Sequence, residues 1–255
     1  MTSPSAPSPN PFKRHGIDHL SVSSLALFAA APGIWVMEKL LDRPAPVGAA
    51  AHRGTAVEQG IVEVLNGAPI TEGIALANAT FSKLTAFTAD PRREKERAAL
   101  ADMVRQGVSL LAAWGSPDRT QCEKNWRIDG LAVPILGYSD IEFDSHGVIV
   151  DIKSTFALPN RIKTKHARQV ASYVGVGSNI TGAVAYITNR KAAIYQVEDV
   201  TGHIACLARQ ALSLQRFLAV SSDPWELAAL LSVDTDSYFL ADPRARQAAW
   251  EVFGV

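Results

Sequence analysis

The sequence predicts an α/β fold in which a mixed central β-sheet is flanked by α-helices. Two observations predict it. Residues 137–143 and 148–154 are β-rich runs on either side of the turn signal Asp144-Ser145-His146-Gly147, which is a hairpin pattern. Around that hairpin the apolar periodicity orders the chain as helices, a meander, a helix, two strands and more helices. That order suits helices layered on a mixed sheet.

Composition sets the class. The chain has 255 residues, of which 47% are hydrophobic and 20% charged, enough length and apolar content for a substantial globular core. Its formal net charge is zero, so no global field draws it to nucleic acid and any such binding must come from a local patch. Cys122 and Cys206 are the only cysteines, too few for a disulfide framework, a zinc ribbon or a four-cysteine iron–sulfur cluster. The longest apolar stretch, about 25–37, is short and broken by Pro32-Gly33, so no membrane span is expected. The N-terminus lacks the basic-then-apolar order of a signal peptide. A soluble cytoplasmic protein is expected.

Residues 1–12, rich in Ser and Pro, are expected to be a disordered tail, with 13–255 forming a single domain. A helix is expected to begin near Ser23 or Ser24 as N-cap, to break at Pro32-Gly33, and to resume over 34–41. A Pro/Gly/Ala linker follows at 43–50. Residues 52–65 read as a helix capped near Thr55, with Val57, Ile61, Val64 and Leu65 as its buried stripe. Further helices are expected over 75–86 and 91–114, the second ended by Gly115-Ser116-Pro117-Asp118. Strands follow at 122–128, 131–135, 137–143 and 148–154. A helix at 163–176 places His166, Gln169 and Tyr173 on one face. Strands at 181–188 and 192–197 precede helices at 200–219, 223–232 and 242–253.

The 148–154 run carries the chemistry. Side chains alternate along a strand, so Val148, Val150 and Ile152 face one way and Ile149, Asp151 and Lys153 the other. A carboxylate and an ammonium thus share one face at the end of an apolar strand, with Asp140 across the hairpin. One reading is a half-exposed Asp151–Lys153 ion pair, worth about 0–1 kcal/mol. The other is a hard-cation site in which carboxylates hold Mg²⁺ or Mn²⁺ and the lysine steers or polarises a water. Glu58 alone reads as a first-turn glutamate favoured by the helix dipole.

Four motifs in order then match a known pattern: Gly54-Thr55-Ala56-Val57-Glu58, Gly137-Tyr138-Ser139-Asp140, Val150-Asp151-Ile152-Lys153-Ser154, and Gln169-Val170-Ala171-Ser172-Tyr173. The chain over roughly residues 20–200 resembles the PD-(D/E)XK nuclease superfamily, in its RecB-like branch, with the phage lambda-type exonucleases as relatives. Leu20-Ser21-Val22-Ser23-Ser24 is similar to the opening of such domains. The resemblance implies a restriction-endonuclease-like core and a Mg²⁺- or Mn²⁺-dependent deoxyribonuclease, an exonuclease of recombination, repair or phage DNA processing. It implies Asp140 and Asp151 as metal ligands, with the backbone carbonyl of Ile152 as a further oxygen. Lys153 would orient the attacking water and neutralise the phosphate, and Gln169 and Tyr173 would position the strand or support the lysine. Glu58 stands where the branch usually has a histidine, which makes an all-oxygen site suited to Mg²⁺; His52 is an alternative that fits the motif less well. Some relatives carry an iron–sulfur cluster; two cysteines cannot complete one, and none is expected.

DNA must be held despite zero net charge. Arg161, Lys163, Lys165, His166 and Arg168 form the densest basic cluster, set to grip phosphates beside the scissile one. The bland reading of that cluster is a solvated helix start. Tyr138 is a candidate for base stacking, whereas Trp114 and Trp126 read as core. Two rival classes stand beside the nuclease: an inactive nuclease-fold module that binds DNA or protein, and a small-molecule enzyme. The second is disfavoured because no nucleotide-binding glycine loop is present. The resemblance implies DNA as partner, with a helicase or a single-strand annealing protein and an oligomeric assembly as further candidates.

Overall fold

In the computed structural model, which describes residues 10–255, the apolar side chains gather into the cores of two units. The first half of the chain supplies α1 (Pro11–Arg14), α2 (Val22–Ala30), α3 (Pro32–Lys39), α4 (Ala49–Leu65), α5 (Ile70–Leu84), α6 (Arg93–Ala98) and α7 (Leu100–Leu111). Strands β1 (Arg119–Trp126), β2 (Ile135–Phe143) and β3 (Val148–Ser154) follow, then α8 (Thr164–Val174), β4 (Thr181–Ile187) and β5 (Ala192–Gln196). The chain closes with α9 (Val200–Leu218), α10 (Pro224–Ala228) and α11 (Pro243–Phe253). The single domain expected over 13–255 spans both units.

The first unit comprises Met1–Pro46, Asn125–Gly137 and Ala205–Val255. Its core brings Phe12, Leu25, Trp35 and Val36 against Val133, Ile135, Leu207, Leu214 and Leu218. Residues 1–9 of the expected tail lie outside the described residues. The end of that stretch is structured: Asn10 Oδ1 accepts the Phe12 N–H and caps α1, and Phe12 is fully buried. The N-cap of α2 is Ser21, whose Oγ accepts the Ser24 N–H, rather than Ser23 or Ser24. The strand expected over 131–135 does not form as a separate element. Pro134 has no N–H to give a ladder, and the Ala132 N–H is taken by the Gln215 side chain. Leu131 and Val133 pack into this core instead.

The second unit comprises Val47–Lys124 and Tyr138–Ile204 and holds the sheet's central pairings. The sheet is five-stranded and mixed, in the order β1-β2-β3-β4-β5. β2 and β3 are antiparallel, β3 and β4 parallel, and β4 and β5 antiparallel. The expected α/β architecture is therefore present. Period-two alternation divides the strand side chains between two helical layers. Val150, Ile152, Ala185 and Ile187 pack with Val57, Ile61, Leu100 and Val104 of α4 and α7, while Val184 and Tyr186 pack with Ala167, Val170 and Ala171 of α8. The hairpin turn falls at Asp144–His146, and Gly147 takes the left-handed conformation (φ 61°) that closes it.

Two element ends differ from expectation for reasons outside their own sequence. α4 begins at Ala49, six residues before Thr55, because the Asp90 carboxylate accepts the Ala49 N–H at 2.9 Å and caps the helix from a distant segment. The expected helix over 91–114 is two helices, α6 and α7, meeting at Ala99. Glu96 of α6 is turned inward by an ion pair with Arg53 of α4.

Candidate active site

The β2–β3 register runs from Phe143–Val148 to Ile141–Val150. Beyond it the side chain of Asp140 takes over, its Oδ2 accepting the Ile152 N–H at 2.7 Å. On β3, Asp151 is fully buried and Lys153 Nζ lies 2.7 Å from its Oδ2. Asp151 Oδ1 has no hydrogen-bond partner. Glu58 comes from α4, held by the Gln121 amide of β1, which donates to Glu58 Oε1. Gln121 stands at φ 49°, the left-handed region that a non-glycine residue rarely occupies.

These charges shift one another. Burial pushes the Asp140 carboxyl well above the usual range, and Asp151 and Glu58 push it further. Burial also raises Asp151, with Lys153 opposing. Glu58 is pushed up to about 7, mainly by burial, with Lys153 drawing it down and Asp151 raising it. For Lys153 burial works against the charge, but Asp151, Asp140 and Glu58 outweigh it and hold the ammonium more firmly protonated than usual. Three acidic groups therefore share one ammonium, and the cluster favours protons on its carboxyls.

Gln169 and Tyr173 lie on one face of α8 as expected, but they bind each other. Gln169 Nε2 donates to the Tyr173 hydroxyl at 2.7 Å. Tyr173 is buried, and burial together with Asp151 raises its phenol above the ordinary value. His52 lies six residues before Glu58 on α4, about 120° round the helix from it.

The expected phosphate-gripping residues divide by environment. Arg161, Lys163 and Lys165 are exposed, whereas Arg168 is half-buried with its Nε lacking a hydrogen bond. His166 does not add to a cationic surface. Its Nδ1 is 2.7 Å from the Tyr186 hydroxyl, and burial, reinforced by Lys153, Lys165 and Lys163, lowers it to about 3. Trp114 packs edge-on against Phe143, and Trp126 packs in the first unit's core. Tyr138 is 51% exposed, on the same strand as Asp140.

Gln121, Arg53 and Tyr186 were not singled out by the sequence. Gln121 carries no pattern signal, being one exposed polar residue of an edge strand. Arg53 directly precedes Gly54 of the first motif, and Tyr186 sits within an apolar run that reads only as core.

Among the described residues, no three His, Cys, Asp or Glu side chains converge as a ready-made metal cage. The donor set nevertheless fits a hard divalent cation. It offers carboxyl oxygens from three residues, among them the unpartnered and fully buried Asp151 Oδ1, and carboxyls whose ionised forms a second cation would stabilise.

No protein-family model matches the chain, and no curated protein matches it. Among solved structures it is similar to the crystal structure of SSO0001, at 18% identity and a TM-score of 0.34, covering 64% of this chain and 85% of that one. Among the described residues no helix is long and apolar enough to cross a membrane.

Proposed function

We propose that the chain is a metal-dependent DNA nuclease, as its four motifs imply. The observation that carries the reading is the gathering of buried Asp140, buried Asp151 and its ion-pair partner Lys153 at the point where β2 and β3 cease to pair. Asp140, Asp151, the Ile152 carbonyl and Glu58 would hold Mg²⁺ or Mn²⁺, the Gln121 amide orienting Glu58 through Oε1. Such an ion supplies Lewis acidity and a lowered pKa for bound water.

The chain's own groups do the rest. Lys153 presents a fixed positive charge to the phosphate, where negative charge grows in the transition state. Asp151 orients that ammonium from 2.7 Å. On α8 the Gln169 amide holds the Tyr173 hydroxyl, whose phenol feels the Asp151 charge, so the pair would support the cluster from that helix. Lys163 and Lys165 offer exposed charge for flanking phosphates.

The test is digestion of end-labelled linear and circular DNA, single- and double-stranded, with Mg²⁺, Mn²⁺ or EDTA. Wild type and Lys153→Ala are compared. Metal-dependent cutting lost in the variant supports the nuclease, and sparing of circles supports exonuclease action. Equal DNA binding by both proteins without any cutting overturns the catalytic reading in favour of a binding module.

A further inference from the structure

Arg53 lies on α4, five residues before Glu58, and its guanidinium is held from several directions. The residue is 5% exposed and ion-paired through Nη1 with Glu96, itself 3% exposed. Its Nε donates to Ser154 Oγ at 3.1 Å and its Nη2 donates to the Ser154 carbonyl at 3.1 Å. The Phe156 ring centroid lies 4.8 Å from its Cζ.

Ser154 is the last residue of β3 and follows Lys153 directly. On one side β4 continues to pair there, with Lys153 opposite Tyr186 and Ser154 opposite Ile187. On the other side the β2 register has ended at Ile141–Val150. Two side chains act in its place. Asp140 binds the Ile152 N–H and Arg53 binds the Ser154 carbonyl, so the backbone is pinned immediately before and immediately after Lys153.

Stability alone does not account for a guanidinium in this position. A buried ion pair loses in desolvation most of what it gains in attraction, and apolar replacements are often as stable. A planar fork that reaches two acceptors of one residue, by contrast, fixes orientation as a lysine cannot.

We propose that Arg53 is a positioning residue for Lys153, fixing the end of β3 so that the ammonium is held in place at the candidate site. The catalytic consequence rests on the nuclease reading above; the positioning itself is a property of the fold.

The experiment compares wild type with Arg53→Lys, which keeps a charge for Glu96 but loses the fork, and with Ser154→Ala, which loses only the Nε contact. Two quantities are read: kcat and KM for DNA cleavage, and the side-chain ammonium signal of Lys153 in ¹⁵N-lysine-labelled protein, assigned by its absence from Lys153→Arg. The expected result is a tenfold to hundredfold loss of kcat in Arg53→Lys, on the order set by a small misplacement of a reacting group. KM should stay within twofold and the Lys153 signal should shift or broaden. Ser154→Ala should show the same pattern more weakly. Unchanged kcat with an unmoved Lys153 signal overturns the proposal, as does a loss confined to KM. If wild type cuts no DNA, the nuclease reading has failed, and the Lys153 signal alone decides the positioning role. If Arg53→Lys does not fold, Ser154→Ala decides it by the same two readouts.

Discussion

Asp140 Oδ2 accepts the Ile152 N–H at 2.7 Å, so a carboxylate on β2 fixes the backbone of the residue between Asp151 and Lys153. One side chain thereby serves as strand partner and candidate ligand together. The two roles separate under substitution. Asp140→Asn keeps an acceptor for Ile152 and removes the charge. Because burial and its acidic neighbours raise Asp140 above the usual range, the fold disfavours its ionised form at pH 8. We expect Asp140→Asn to melt a few degrees higher than wild type in EDTA at that pH, and to lose cleavage by about a hundredfold or more. Asp140→Leu leaves the Ile152 N–H without its acceptor and should melt lower. Thermal denaturation and a cleavage assay check both.

The strands and most helices are legible because their apolar periodicity is local. β3 shows its alternation outright, and Asp144 to Gly147 announces the turn. What the sequence hides is supplied from far away. Asp90 caps α4 from forty-one residues downstream, so the true start of α4 is not visible locally; Pro134 weakens the 131–135 run in plain sight, but the Gln215 side chain that takes the Ala132 N–H comes from a distant helix. The same holds for the candidate site. Asp140, Asp151 and Lys153 stand out as charges among apolar neighbours, whereas Arg53 and Gln121 gain their roles only through contacts with Ser154 and Glu58. His166 reads as part of a basic run, yet its neutrality depends on burial beside Tyr186.

That neutrality gives a pH prediction. The His166 imidazole is lowered to about 3 from an ordinary value of 6.5, by burial first and then by Lys153, Lys165 and Lys163. A base depressed in the fold binds its proton in the unfolded chain first. Its contribution to stability is therefore present above about 6.5 and is lost as pH falls toward the folded value. In an NMR titration from pH 7.5 to 5, the His166 ring signals should stay put; movement with a midpoint near 6.5 would refute the assignment. His166→Gln should lose less stability than wild type between pH 7 and 4.

Lys163 and Lys165 are exposed at the start of α8, so their removal should spare the fold and weaken DNA binding uniformly across sequences. For Lys163→Ala/Lys165→Ala we expect an unchanged melting temperature. The slope of log affinity against log salt on duplex DNA should be shallower by about 1–2, since each lost phosphate contact removes about 0.9. A salt series of binding isotherms measures it, and an unchanged slope would place the DNA path elsewhere.

Two glycines of the second unit make opposite predictions. A Cβ at Gly73 of α5 would meet Val64 Cγ2 and lie 2.6 Å from the Gly60 carbonyl oxygen, so α4 and α5 cross with backbone nearly touching. Backbone cannot give way as a side chain does, and Gly73→Ala should cost about 1–3 kcal/mol as overpacking. Its better helix propensity, worth up to about 1 kcal/mol, offsets only part of this. Gly54 is different, although it opens the first motif. A Cβ there meets only Ser154 Oγ, at 3.8 Å, an ordinary contact. Gly54 is helical within α4, so Gly54→Ala should gain stability from propensity alone. Urea unfolding of both variants separates the cases: the midpoint should fall for Gly73→Ala and hold or rise for Gly54→Ala, with m unchanged. If Gly54→Ala keeps its stability but loses cleavage, the bare backbone at Gly54 is needed by the substrate rather than by the fold.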